Sequence, residues 1–401
     1  MNILFLSIGD IPSIKHREIY PDLMREFIKN NHNVYVICSR EKRNNLATEF
    51  VEEDGAKLVK VKIGNITKTN LIEKGVSTLL VSIQYKLAIK KFFPDVQFDL
   101  IMYSTPPITL VDCIEYVKKR DDAKTYLLLK DIFPQNAVDL GMFTQTGLKS
   151  AIYKYFRNKE SKIYRISDHI GCMSQANVEY VLKHNSELDE NIVEVCPNSV
   201  DVVDMSVDAK TRENIRKKYD IPTNKKILIY GGNLGKPQGI DFLIECLKSQ
   251  YNRDDVYFLI VGDGTEFGKL ESYMKAEKPM NVKLMKRLPK DDYDTMVAAC
   301  DVGMIFLDYR FTIPNFPSRL LAYMQAKIPV LACTDPNTDI GKVITEGGFG
   351  WWCESNSIQE FTKIVDCICS ADLKALGDNA YRVLNEKYSV SESYNTIVNH
   401  F

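Results

Sequence analysis

Residues 227–239 read ILIYGGNLGKPQG, and this stretch constrains the fold more than any other. Ile227–Tyr230 is a short apolar run of the kind that forms a buried strand. Gly231 and Gly232 end it, allowing a sharp turn and the close approach of a ligand to the backbone. Gly235 and Gly239 follow. The next run, IDFLIECL, then places Leu243, Ile244 and Leu247 on one helical face. Strand, glycine-rich turn and helix together make the build of a phosphate site, because free N–H groups and the positive helix end favour an anion. The spacing matches neither the P-loop nor the dinucleotide fingerprint. Glycines kept only for βα packing explain this one turn equally well.

The 401 residues exceed one ordinary domain, so two or three are expected. A net charge of −1 disfavours a dedicated nucleic-acid binder. No apolar run is long enough to span a bilayer. The start, MNILFLSIGDIP, reads as strand and turn rather than as a targeting segment, so a cytoplasmic protein is expected. The ten cysteines are scattered without CxxC spacing, as buried thiols of a reducing compartment would be.

The first half alternates strand and helix patterns. Asn2–Ile8 is a strand, Gly9–Pro12 its turn, Ile19–Asn30 a helix and Asn33–Cys38 a strand, a βαβ opening that implies a parallel sheet. Strands at 58–63, 100–103 and 125–129 continue it, with helices at 76–93 and 108–119. In such sheets ligands sit at the carboxyl ends of the strands. That rule singles out the loop containing Asp10, with His16 or Arg17 nearby, and the segment KDIFPQNAVDLG, where Asp131 closes a buried strand. Asp131 as a cap of the next helix is the competing account. Leu148–Ile166 is an amphipathic helix carrying Lys149, Lys154, Arg157, Lys159, Lys162 and Arg165 against one acid, Glu160. Such a helix is expected to lie against an anionic membrane or to be a solvated face. Ser174 is expected to cap the helix that follows DHIGCMS.

A polar segment from Asp204 to Lys226 marks a boundary. The expected domains are 1–203 and 204–388, with the last helix, about 389–401, packing back on the first. The second βα series begins at Ile227. It carries Gly262 and Gly264 after the VYFLIV strand, Arg287 and Leu288 after Val282–Met285, and Asn315, Pro317, Ser318 and Arg319 before the helix 320–326. Ser318 can cap that helix. Arg319 brings a positive charge to its first turn, which is unfavourable unless an anion binds there. Lys236 and Arg319 together match the charge of a diphosphate.

The pieces CPNSVD, GGNLGKPQG, IVGDGTEFGKLE, KRLPKDD, ACDVGMIFL and PSRLLAYMQAKIPVLA together resemble the GT-B glycosyltransferases, in particular the large retaining family 4. The KDIFPQNAVDLG segment and the GN-x-G-x-x-QG loop are most similar to its L-fucosamine transferase-like branch of O-antigen and capsule synthesis. The resemblance implies an α/β fold with two Rossmann-like domains whose parallel sheets face a central cleft. It implies transfer, with retention and without a metal or other cofactor, from a nucleotide-diphosphate sugar, expected to be UDP-linked. The acceptor is expected to be a saccharide, lipid-linked and at the inner face of the membrane, with no nucleic-acid partner. The donor-side residues it implies are Gly232, Asn233, Gly235, Lys236, Gln238, Gly262, Gly264, Arg287, Leu288, Asn315, Pro317, Ser318 and Arg319. Asp131, then Asp10, are the catalytic candidates. Two departures stand out: Asn233 and Gln238 replace the usual Arg and Lys, and Pro314 and Ala322 replace the usual Glu pair, leaving ribose recognition unassigned. A nucleotide-sugar epimerase on the same fold, or a non-catalytic nucleotide-sugar-binding subunit, are the alternatives.

Overall fold

A computed structural model describes residues 1–67, 69–147 and 150–401. The chain forms two units, Met1–Asp201 with Ser389–Phe401, and Val202–Tyr388.

The strands of the first unit are β1 (Asn2–Leu6), β2 (Asn33–Glu41), β3 (Glu49–Glu53), β4 (Ala56–Ile63), β5 (Leu100–Thr105), β6 (Lys124–Leu129), β7 (His169–Cys172) and β8 (Val193–Val195). Their order is β3-β4-β2-β1-β5-β6-β7-β8, reversing direction between β1 and β5. The central strands are apolar nearly throughout because helices cover both faces of a parallel sheet. β3 runs antiparallel to β4, an edge strand the periodicity of the sequence did not suggest. Its signal is Asp54-Gly55, with φ +47° and +84°, the dipeptide of a tight hairpin turn. The closing helix Val390–Val398 returns to this unit because Tyr394 packs edge-on to Phe27 at 4.9 Å and bonds His32 Nε2 at 2.9 Å.

The second unit contains β9 (Lys226–Asn233), β10 (Val256–Asp263), β11 (Val282–Lys286), β12 (Val302–Phe306), β13 (Val330–Thr334) and β14 (Gly350–Glu354). All pair in parallel in the order β11-β10-β9-β12-β13-β14. The order reverses between β9 and β12, and crevices at such reversals hold ligands. β9 runs through Gly231 and Gly232 to Asn233, so the strand does not end at the glycine pair as expected, because both glycines stay paired with β10. The loop leaves after Asn233. The opposite, amino end is held by the buried carboxylate of Asp301, which accepts from Arg216 at 2.7 Å, Arg212 at 3.0 Å and the Ile227 N–H at 2.7 Å.

Candidate functional site

Strand register assembles the donor-side candidates of the second unit. Gly262 pairs with Gly232 on one side and with Lys286 on the other, so the ends of β9, β10 and β11 stand in one row, with Arg287 next beyond β11. Across the reversal, the Asp308 N–H donates to the Pro237 carbonyl at 2.9 Å, pinning the Lys236–Gln238 turn to the end of β12. Gly239, at φ +55°, lies so close to Asp308 that an added Cβ would stand 3.3 Å from the Asp308 Cα.

Arg319 opens the short helix Arg319–Gln325. Its guanidinium lies 4.4 Å from the centroid of the Tyr230 ring. A Cβ on Gly232 would stand 3.7 Å from an Arg319 terminal nitrogen, so the bare glycine backbone and the guanidinium are neighbours. Gly232 has φ +113°, which side-chain-bearing residues rarely adopt. Nη1 of Arg319 is buried without a hydrogen-bond partner among the described residues. A cation–π contact contributes about 0.5–2 kcal/mol. An unpaired buried donor costs about 1–3 kcal/mol, and more when charged. The stack on Tyr230 thus leaves the Nη1 donor without a hydrogen bond among the described residues. Lys236 and Arg287 are exposed. Neither is in an ion pair among the described residues.

Several expectations for this loop are corrected. The N–H groups of Leu234 and Gly235 are not free for a phosphate: Leu234 donates to the Asp263 carbonyl at 2.9 Å and Gly235 to Gln238 Oε1 at 3.2 Å. Asn233 Nδ2 donates to the same Gln238 oxygen at 2.9 Å, so Asn233 and Gln238 brace the turn. Gly262 and Gly264 are explained without a ligand, since a Cβ would fall 2.1 Å from the Gly232 carbonyl oxygen and 2.4 Å from that of Leu234. Ser318 is helical and its side chain does not cap the helix. Asn315 accepts a 2.6 Å bond from Thr338 Oγ1 through its carbonyl, while its Nδ2 is buried without a partner among the described residues. Pro317 and Leu288 are half-buried.

In the first unit the carboxyl ends of β1, β5 and β6 align, with Leu6 opposite Tyr103 and Thr105 opposite Leu129. Asp131 follows β6. It caps no helix, since the next one, Gln135–Asp139, starts after Pro134. Burial pushes its carboxyl up to about 6, against a hydrogen bond from Asn136 that pulls it down. Tyr20 lies beside it: burial lifts that phenol to about 12, a hydrogen bond with Ser104 opposes this, and the Asp131 charge adds to it. A carboxyl that titrates near neutrality at a strand end suits proton transfer. Lys130 turns away and donates to the Cys196 carbonyl at 3.0 Å. Asp10 is exposed at the β1 end. Its loop is fastened by Lys60 Nζ donating to the Pro12 carbonyl at 2.6 Å and by Ser39 donating to the Ile8 carbonyl. His16 is exposed and Arg17 half-buried in the same loop.

The basic helix is also revised. Leu148 and Lys149 lie outside the described residues. In the helix Ser150–Ile166, Lys159 and Lys162 pair with Asp112 at 2.6 and 2.9 Å, Lys162 reaches Glu115 at 2.7 Å, and Arg157 reaches Glu160 at 2.6 Å. Its positive charge is largely neutralised by the neighbouring helix Val111–Asp121 and by its own acid. Ser174 does not cap its helix either; its hydroxyl bonds the Asn177 side chain at 2.9 Å.

Three tyrosines escaped the sequence reading. Tyr230 reads in the sequence as part of an apolar strand, yet its ring carries Arg319 and its hydroxyl donates to the Asn233 carbonyl at 2.8 Å. Tyr293 packs so tightly on Gly231 that a Cβ there would meet its hydroxyl at 1.8 Å. Tyr323 bridges the reversal, with its hydroxyl donating to the Met304 carbonyl at 3.1 Å and reaching the Ile229 carbonyl at 3.4 Å. The available signal was a polar-tipped aromatic directly before a glycine pair.

Residues 211–383 match the family described as "Glycosyl transferases group 1". The chain is 24% identical over 330 residues to the probable glycosyltransferase WbjE of Pseudomonas aeruginosa, covering 82% of this chain and 80% of that protein. Among solved structures it is similar to a sucrose-phosphate synthase from Thermosynechococcus elongatus, with a TM-score of 0.77 and 13% identity over 99% of this chain and 97% of that one. It is also similar to HepE of Anabaena in complex with UDP, with a TM-score of 0.70 and 15% identity over 100% and 99%. With two parallel-sheet Rossmann-like units, the fold is GT-B.

Proposed function

We propose that this chain, a glycosyltransferase by its group 1 domain and its relatives, moves a sugar from a nucleoside-diphosphate donor, UDP-linked, to a hydroxyl of a saccharide acceptor with retention at the anomeric carbon. The observation that carries the donor assignment is Arg319 at the strand-order reversal, whose Nη2 neighbours the bare backbone of Gly232 and whose Nη1 is buried without a partner among the described residues. The structural neighbour HepE of Anabaena is known in complex with UDP and with UDP-glucose, which supports a uridine donor here.

In this reading the diphosphate lies against Gly232. Arg319, Lys236 and Arg287 stabilise the charge that grows on the leaving phosphate as the glycosidic bond breaks. Stabilisation that strengthens in the transition state accelerates the reaction, whereas equal binding of ground and transition states does not. Asn315 Nδ2 is a second free donor for the same ligand. These side chains supply the charge that a metal would otherwise supply, so the reading needs no metal. Asp131 is read as base or orienting group for the acceptor hydroxyl, with Asp10 as the second carboxylate. The acceptor is read as a lipid-linked saccharide of cell-surface polysaccharide synthesis, in line with the capsule and O-antigen resemblance.

The test is calorimetric titration of UDP and of UDP-sugars into the wild type and into Arg319→Ala. Binding by the wild type and at least about tenfold weaker binding by the variant are expected. Equal UDP affinity in the two would remove Arg319 from the site.

A further inference from the structure

The helix Leu71–Phe92 is apolar on two opposite faces. One is buried, through Val81, Tyr85, Ala88 and Ile89. On the other, Val76, Leu79, Leu80, Ile83 and Leu87 are 53, 48, 46, 58 and 60% exposed. At 100° per residue these five positions fall within an arc of about 100°, a continuous stripe about 16 Å long. A helix that is apolar all round is ordinarily covered on all sides. Here no described residue covers the second face.

Charge says what does. Lys86, Lys90 and Lys91 frame the carboxyl end of the stripe, and none is in an ion pair among the described residues. Lys86 and Lys90 stand over the Tyr116 ring at 4.2 and 5.1 Å, which holds them at the edge of the stripe. The one acid of this helix, Glu73, is bonded by Asn65 at 2.8 Å and by Thr69. A second copy of this helix would therefore bring no free acid to face the lysines, whereas an anionic lipid surface brings both a hydrocarbon boundary and phosphates. No helix of the described residues is long and apolar enough to cross a membrane. An exposed apolar stripe bounded by lysines complements both parts of such a surface.

We propose that this face of the helix, Val76 to Leu87, seats the protein on an anionic bilayer, with Lys86, Lys90 and Lys91 at the lipid phosphates. The assignment does not depend on the donor site, and it differs from the sequence expectation, which put the contact on Leu148–Ile166.

Flotation of the full chain with vesicles of phosphatidylglycerol and phosphatidylcholine tests it, with pure phosphatidylcholine vesicles as the comparison. The wild type should float with the anionic vesicles and be released by salt. The double variant Ile83→Ser with Leu87→Ser should bind about tenfold less or weaker. Lys90→Glu with Lys91→Glu should fall to the level seen with phosphatidylcholine. These are solvent-facing positions, so circular dichroism and melting should match the wild type. Ile152→Ser with Lys154→Glu, on the other helix, should float normally. The proposal is overturned if the wild type stays in solution with anionic vesicles, or if the stripe variant floats as the wild type does. It is equally overturned if light scattering shows a wild-type dimer that the stripe variant splits without any vesicle binding.

Discussion

The guanidinium of Arg319 rests on the face of Tyr230 at 4.4 Å, although 89 residues separate them in the chain. Tyr230 directly precedes the Gly231-Gly232 pair near the end of β9, and Arg319 is the first residue of the helix beyond β12. The stack thus joins the two sides of the strand-order reversal and aims one cation at the glycine backbone.

Arg319→Ala is expected to lower transfer by about 10²–10³, the usual loss when one charge-stabilising donor is removed. Tyr230→Phe keeps the ring and should retain most of the rate, whereas Tyr230→Leu should lower it through a misplaced guanidinium. Initial rates at saturating donor decide this, and a wild-type rate in Arg319→Ala would end the phosphate assignment.

Gly262→Ala places a Cβ 2.1 Å from a backbone oxygen of Gly232. The atom that must move is backbone, so a loss of about 1–3 kcal/mol is expected, with donor binding damaged as the turn shifts. Gly268, inside the helix Phe267–Glu277, has nothing within 4 Å of the same position. Gly268→Ala should gain up to about 1 kcal/mol instead. Calorimetric melting of the two variants side by side gives the comparison.

Asp131 titrates near 6 in the folded chain, against 3.8 for a free aspartate, because burial disfavours the carboxylate. The folded state therefore holds this proton more tightly than the unfolded state. Its contribution is full below pH 3.8 and is lost as pH rises through about 6. Asp131→Asn should accordingly melt higher than the wild type at pH 7.5, by about 1–3 kcal/mol, with no gain at pH 3.5. The same variant should lose turnover, and the wild-type rate should fall on the acid side of about pH 6. Buried Asp335, also near 6, keeps a similar slope in both proteins, so the difference between them is the readout. An acid limb that survives unchanged in a still-active Asp131→Asn would assign it to another group.

A chelator should leave the transfer rate unchanged, because Arg319, Lys236 and Arg287 are read as carrying the leaving-group charge. Loss of activity in EDTA with recovery on adding Mg²⁺ would assign that role to a metal.

The fold class was legible in the amino-acid order because it is written locally. Apolar runs such as ILFL and LIMY alternate with helical periods, and turn glycines punctuate them, so each element declares itself over a few residues. The edge strand β3 was missed because its face is largely charged and only Asp54-Gly55 marks it. The site was legible in part. Arg319 stood out as a cation where a helix start disfavours one, and the structure brings it to Gly232. Hydrogen-bond accounting was not legible: that Gln238 and Asp263 consume the loop's N–H groups depends on which atoms the sheet register brings within 3.5 Å. The neutralised basic helix and the uncovered stripe Val76–Leu87 are likewise tertiary outcomes. Sequence determined which faces are charged or apolar, and only packing decided which of them found a partner, because pairing and burial depend on neighbours distant in the chain.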